Sequence, residues 1–161
     1  MRGVKAEGGW AVVSTEEVEI HPSSETSPHV EGRLWDEADV PAHRLVVDAI
    51  HRHGSLAAVE LTHSGMSHPN LHTRVPPMGP GHAVLASDSH APIQARRMSQ
   101  RDIDDLRRWH RGAVERSLDA GYDIVYVYAG HSLSTLHHFL SPASTSARTP
   151  TAVRSRTGHD C

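Results

Sequence analysis

The chain has 161 residues, with 16 lysines and arginines against 19 aspartates and glutamates; the formal net charge of −3 argues against a nucleic-acid binder or a basic membrane peptide. At 37% hydrophobic and 4% aromatic residues it is lean for a self-sufficient core, and its length suits one ordinary domain, well short of the roughly 250 residues of an eight-stranded α/β barrel. The single cysteine, Cys161, allows no disulfide framework, redox pair or cysteine-ligated cluster within this chain, which fits a reducing, cytoplasmic setting. No apolar run approaches the ~18 residues of a spanning helix and no signal-peptide stretch follows Met1, so a soluble, untargeted protein is expected.

The first expected strand covers Trp10 to Val13 and continues toward Ile20, with its glutamates on an exposed face. The segment from His21 to Pro28 is rich in turn residues. A helix is then expected from Asp36 or Asp39, with Pro41 in its first turn, an apolar face of Val40, Leu45, Val46, Ala49 and Ile50, and Gly54 at its end. Leu56 to Leu61 is short and almost wholly apolar, as in a strand of a parallel sheet covered by helices. From Thr62 to Arg97 five prolines predict a long loop. Ser99 and Asp102 form a capping pair for a second helix, with Ile103, Leu106, His110, Ala113, Val114 and Ser117 on one stripe, ending at Gly121. Tyr122 to Tyr128 is the strongest strand candidate by β-branched and aromatic content. Helix-separated strands imply parallel pairing through right-handed crossovers, hence an α/β fold.

The 15 histidines include a cluster of His63, His68 and His72 and the pair His137 and His138. Pro69 interrupts the helical spacing that would bring two imidazoles onto one metal, so no metal site is expected and loop histidines are the simpler reading. The end of the strong strand is more informative, because ligands of parallel α/β sheets gather at the C-terminal ends of strands. Tyr128 and His131 sit there, a phenol and an imidazole separated by a small Ala-Gly pair and able to serve one pocket as donors or proton-transfer groups. Glu60, an acid inside an apolar strand, demands a partner, either a ligand or a neighbouring arginine.

Lys5-Ala6-Glu7-Gly8-Gly9-Trp10, Thr15-Glu16, Val59-Glu60-Leu61-Thr62-His63-Ser64-Gly65, Ala120 through His131, and His138-Phe139-Leu140-Ser141-Pro142 occur in order. Together they resemble the second to fourth strand regions of the old yellow enzyme family of NADH:flavin oxidoreductases, in particular its amine dehydrogenase branch. The resemblance implies that residues 1–142 are a partial (β/α)8, or TIM, barrel with FMN at its C-terminal mouth. It implies that Glu60 bonds the flavin pyrimidine edge, where many members carry glutamine. Glu17 stands where trimethylamine dehydrogenase has an aromatic substrate-cage residue; it is expected on the cofactor side with Glu60, as a carboxylate able to attract an ammonium group. The resemblance implies that Tyr128 and His131 are catalytic, in the Tyr/His arrangement of amine dehydrogenases. A small-molecule amine, with hydride passing to flavin N5, is therefore the expected substrate. Alternatives are ene-reductase-type reduction of an unsaturated carbonyl, disfavoured by Leu133 where many ene-reductases keep a tyrosine, or a small non-enzymatic binding protein. The four-cysteine iron–sulfur motif of the amine dehydrogenases is absent from these residues.

Residues 143–161 change character: Ser, Thr, Arg, Ala and Pro dominate, Val153 is the one sizeable apolar residue, and a disordered tail is expected. In the family, Phe-Leu-Ser-Pro is followed by a stretch resembling N-x-R-T-D-x-Y-G-G-S-L-E-N-R. One back-translation of Ala143 to Cys161, read one base earlier with a preceding C, gives RINERTDAYGGSLENRARL, so a shifted reading frame and a truncated, inactive fragment are expected. Sequencing the locus checks this: the bases beyond the Cys161 codon should continue the barrel in the other frame.

Overall fold

A computed structural model describes residues 1–25, 31–86, 92–131, 133–142 and 144–145. Its centre is a parallel sheet of β1 (Val12–Glu19), β2 (Gly32–Arg33), β3 (Leu56–Thr62) and, late in the chain, β7 (Ile124–Val127), in the order β2-β1-β3-β7. The helices α1 (Arg2–Glu7), α2 (Val40–His51) and α3 (Gln100–Ala120) supply the covering layer, and a short α4 (Thr135–Leu140) follows β7. Val13, Val18, Ala57, Val59 and Leu61 from the strands meet Val47, Ile50, Ile103, Leu106, Ala113 and Ala120 from the helices in one apolar core. Side chains alternate along a strand, so the intervening residues look the other way, toward what is the interior of a barrel.

Local chemistry explains the boundaries. Ser99 accepts from the Asp102 N–H while the Asp102 carboxylate accepts from the Ser99 N–H, the reciprocal cap expected for α3. Arg96 grips the same carboxylate through two nitrogens, at 2.7 and 2.8 Å, and holds its pKa far below the usual carboxylate range. Gly121 ends α3 at φ +95, a conformation that costs glycine nothing. Two main-chain hydrogen bonds then close the crossover: the Tyr122 N–H donates to the Ser117 carbonyl, and the Asp123 N–H to that of Ala57.

Several expectations need correction. The stretch from Thr62 to Arg97 is not all loop: β4 (Met78–Gly79) pairs parallel, and β5 (Ala83–Ala86) antiparallel, with β6 (Pro92–Arg97). Pro92 opens β6 at its edge, where a missing N–H is tolerated. On α2, Leu45 is 72% exposed and Val47 takes the core position, with His43 beside it. His43 is satisfied there at both ring nitrogens, by the Tyr122 hydroxyl and the Arg33 carbonyl, each at 2.9 Å. The glutamates of β1 do not share an exposed face: Glu16 is exposed, Glu17 half-buried and Glu19 fully buried. A register irregularity between Ser14 and Glu17 shifts the alternation there. Leu56, expected under cover, is exposed at the start of β3. Residues 146–161, most of the proposed tail and Cys161 with it, lie outside the described residues.

At the N-terminal ends of the strands, Asp123 accepts from the Ala57 N–H at 2.7 Å and pairs with His51 Nε2 at 2.8 Å, joining β7, β3 and α2. The pairing with His51, then the Ala57 N–H, hold its pKa below the ordinary carboxylate value. A depressed acid stabilises the fold above its unfolded pKa and loses that contribution as pH falls through the folded one. Asp123→Asn is therefore expected to cost about 1 kcal/mol at pH 7, a difference that closes in strongly acid solution; denaturant midpoints of both proteins across pH check it.

Candidate active site

The site forms where the C-terminal ends of β1, β3 and β7 meet. Glu60 of β3 pairs in register with Glu17 of β1 on one side and with Tyr126 of β7 on the other. Adjacent strands place registered side chains on one face, about 5 Å apart, so this row looks into the barrel interior. Tyr126 is 47% exposed, because no further strand covers that face among the described residues. The Glu60 N–H donates to Thr15 Oγ1 at 3.0 Å, which bridges the irregularity in β1. The Glu60 carboxylate has no hydrogen-bond partner among the described residues, and no arginine neutralises it.

Just beyond β7, the Tyr128 N–H donates to the Leu61 carbonyl at 3.0 Å and extends the ladder by one residue. The chain then turns through Gly130 to His131, whose φ of +53 lies in the left-handed region. A Cβ on Gly130 would stand 3.0 Å from the Tyr128 ring, so a side chain there would displace it. The turn brings His131 Nδ1 into a hydrogen bond with the Tyr128 hydroxyl, the two rings 5.8 Å apart between centres. The Tyr128 hydroxyl also lies near enough to the Glu17 carboxylate for each group to shift the ionisation of the other.

The electrostatics follow from burial without a neutralising cation. Burial raises the Glu17 pKa, the nearby Tyr128 hydroxyl opposes this, and the Glu60 charge adds to it. Burial also raises Glu60, with the charge of Glu16 second. Tyr128 is pushed up to about 12, first by burial and then by the Glu17 charge. The phenol therefore stays protonated near neutrality, beside two carboxylates that draw a cation toward it.

The four residues singled out from the sequence thus gather at one rim: Tyr128 and His131 share a hydrogen bond, and Glu17 and Glu60 stand beside them in register with each other. Sequence reasoning assigned no role to Thr15 or to Thr62, which is fully buried with a hydroxyl that has no hydrogen-bond partner among the described residues. Alternation from Glu60 was the signal that could have found Thr62. The clustered histidines do not converge on a metal: among the described residues no group of three His, Cys, Asp or Glu could hold one. His63 instead lies fully buried, between Ser23 and Thr135.

Because the Glu17 charge opposes the phenolate, Glu17→Gln is expected to move the Tyr128 ionisation down from about 12 toward its ordinary value. Phenolate absorbance during an alkaline titration of the two proteins, with Tyr128→Phe to identify the transition, measures it.

Residues 2–150 match the NADH:flavin oxidoreductase / NADH oxidase family, a match that ends inside the stretch 143–161. Dimethylamine dehydrogenase of Hyphomicrobium sp. (strain x) is 36% identical over 146 residues, 88% of this chain but 20% of that protein. Histamine dehydrogenase from Rhizobium sp. 4-9 superimposes with a TM-score of 0.86 at 40% identity, covering 91% of this chain and 22% of that one. The old yellow enzyme homologue from Zymomonas mobilis, at 21% identity, shares the fold, with a TM-score of 0.82 over 93% of this chain and 44% of its own. The chain thus spans between 20% and 44% of the length of these proteins, and β1, β3 and β7 of its parallel sheet stand as adjacent strands of a (β/α)8 barrel. The chain belongs to the NADH:flavin oxidoreductase / NADH oxidase family.

Proposed function

We propose that these residues form the substrate-facing arc of an FMN-dependent oxidoreductase that oxidises a small amine. Because the chain spans about a fifth of dimethylamine dehydrogenase and of histamine dehydrogenase, the activity is proposed for the complete barrel to which this arc belongs. The observation that carries the reading is the hydrogen-bonded pair of Tyr128 and His131 at the strand ends, a phenol and an imidazole set beside the registered carboxylates of Glu17 and Glu60.

The donor chemistry fits FMN along one edge. Glu60 presents a carboxylate without a partner among the described residues, and the buried Thr62 hydroxyl, two residues on along the same face, likewise has none. Glu60 would accept from the pyrimidine N–H of the ring. When bound, the flavin supplies the hydride acceptor for the carbon next to the amine nitrogen. The protein's own groups do the rest. Glu17 and Glu60 attract an ammonium substrate. Glu17, with its pKa raised, is an acceptor for the ammonium proton whose loss must precede hydride departure. Tyr128 and His131 hold the nitrogen in place by hydrogen bonding.

The test is anaerobic. After reconstitution of the complete protein with FMN, a panel of small primary to tertiary amines should bleach the flavin absorbance, and Tyr128→Phe and His131→Ala should each slow bleaching by 10²-fold or more, on the order of the contribution of one proton-transfer group. Glu60→Gln should retain flavin through size-exclusion chromatography and Glu60→Leu should lose it. Amines that leave the flavin oxidised, while an α,β-unsaturated ketone reoxidises reduced flavin, would assign the site to ene reduction instead.

A further inference from the structure

The turn that carries His131 is fixed at both ends to the same stretch of β3. At its start the Tyr128 N–H donates to the Leu61 carbonyl, and at its close the Thr135 N–H donates to the His63 carbonyl at 2.7 Å. Between these anchors the described main chain makes one local hydrogen bond, from the Leu133 N–H to the Gly130 carbonyl at 3.1 Å. The left-handed residue of the turn is His131 itself, not a glycine. A β-unbranched residue in that conformation carries a local cost, so the anchors must hold the turn against its tendency to relax.

The second anchor is built around one imidazole. His63 Nδ1 lies 2.7 Å from Thr135 Oγ1, and the same hydroxyl lies 3.0 Å from the His63 carbonyl. On its other side His63 Nε2 lies 2.9 Å from Ser23 Oγ, which in turn meets His21 Nδ1 at 2.8 Å. The tautomer with hydrogen on Nδ1 satisfies both ring nitrogens: Nδ1 donates to Thr135 Oγ1, whose own proton goes to the His63 carbonyl, and Nε2 accepts from the Ser23 hydroxyl. Trp109 of α3 lies nearly parallel to the His63 ring at 5.8 Å between centres. Gly65 seals the contact from below: a Cβ there would stand 2.4 Å from Thr135 Oγ1 and 3.1 Å from its Cα. Burial pushes the His63 pKa down to about 3, so the ring stays neutral under ordinary conditions and its hydrogen bonds do not switch. An imidazole satisfied at both nitrogens, stacked and buried, is a rigid post.

We propose that His63, acting through Thr135, is a positioning residue for His131: it pins the far end of the turn so that the His131 imidazole meets the Tyr128 hydroxyl. Without the post, α4 and the end of the turn shift together, and His131 swings off the phenol while Tyr128, anchored separately to Leu61, stays in place. The structural claim stands apart from the amine-oxidation reading, and only its kinetic consequence rests on that reading.

The ring nitrogens of His131 report the outcome directly. The full chain is labelled with 15N, His131 is assigned by loss of its signals in His131→Asn, and Thr135→Val is compared with Thr135→Ser. Thr135→Val removes the hydroxyl at nearly constant volume and should abolish the hydrogen-bonded shift of His131 Nδ1; Thr135→Ser keeps the hydroxyl and should preserve it. Ser23→Ala touches neither Thr135 nor His131 but frees the other side of the His63 ring. It should move the His131 signal in the same direction by a smaller amount, which keeps the proposal testable should Thr135→Val fail to fold. His131 signals unmoved in Ser23→Ala and in a folded Thr135→Val, or displaced equally by Thr135→Ser and Thr135→Val, would overturn the proposal. In the flavin-loaded complete protein the same Thr135→Val change should lower kcat/KM for amine by up to about 100-fold, the scale of an ångström-level misplacement. A His131 signal that moves without any change in turnover would support the positioning role and remove the amine-oxidation reading of the pair.

Discussion

The register of β3 is the constraint on which the rest of the molecule depends. This strand is hydrogen-bonded along both edges, to β1 and to β7, and the pairing aligns Glu60 with Glu17 and with Tyr126. A slip of one residue would turn Glu60 into the apolar layer under α2 and α3 and carry Leu61 out into solvent. The core prevents this: Ala57, Val59 and Leu61 are wholly buried against the helices, and no alternative register keeps all of them there. The placement of the acids on the open face is thus a consequence of where the aliphatic residues must go. The same strand end supplies the Leu61 and His63 carbonyls that anchor the turn after β7. One strand therefore fixes the Glu60 carboxylate and both ends of the segment that holds the phenol and imidazole.

Much of this architecture was legible in the sequence, for local reasons. The apolar run before Glu60, the capping pair Ser99 and Asp102, and Gly121 are signals written within a few residues, and the structure keeps all of them. The family motifs placed Glu17, Glu60, Tyr128 and His131 near one another before any geometry was available. What was not legible depends on contacts between distant segments. Glu17 and Glu19 face the barrel interior because a strand irregularity at Ser14 to Glu17 moves the core position from the odd residue Val13 to the even residue Val18, and no pattern of period two announces where that break falls. Leu45 and Val47 exchanged roles on α2 because the core accepts a polar residue, His43, whose two partners lie on other elements. The small sheet of β4, β5 and β6 is made of short segments among prolines, and only their mutual pairing identifies them as strands. The links of Tyr128 to Glu17 and His131 likewise belong to tertiary structure.

The open side of the sheet accounts for the electrostatics of the site. Glu17 and Glu60 stand side by side with no arginine or lysine between them, an arrangement that a dry core would not tolerate. Each keeps part of its solvent contact, and the raised pKa values record the part it has lost. The far edge of β7 is equally uncovered. Val127 is 51% exposed and lines an apolar groove of about 370 Å³ with Ile103, Leu106, Leu136 and Phe139. In a closed barrel this edge continues into a neighbouring strand, and the interior face loses water. Closure would therefore strengthen the very interactions that the arc displays: a lower dielectric raises the pull of two carboxylates on a cation and the cost of ionising the phenol between them.

The two kinds of histidine in this region differ in what can reach them. His63 and His21 are pushed down to about 3 and about 4 by burial, so they act as neutral, directional hydrogen-bonding groups. Their role is geometric: the ring of His21 stacks on Trp109 at 3.6 Å, the ring of His63 lies nearly parallel to the same indole, and the resulting stack ties the loop after β1 to α3. His131 is exposed, at the end of a turn, with one nitrogen on a phenol. An imidazole can exchange protons with a substrate only where water or ligand reaches it, and it can serve as a fixed post only where neither does. The fold satisfies both demands by setting the post at the buried end of β3 and the exposed imidazole one turn above it, joined through Thr135.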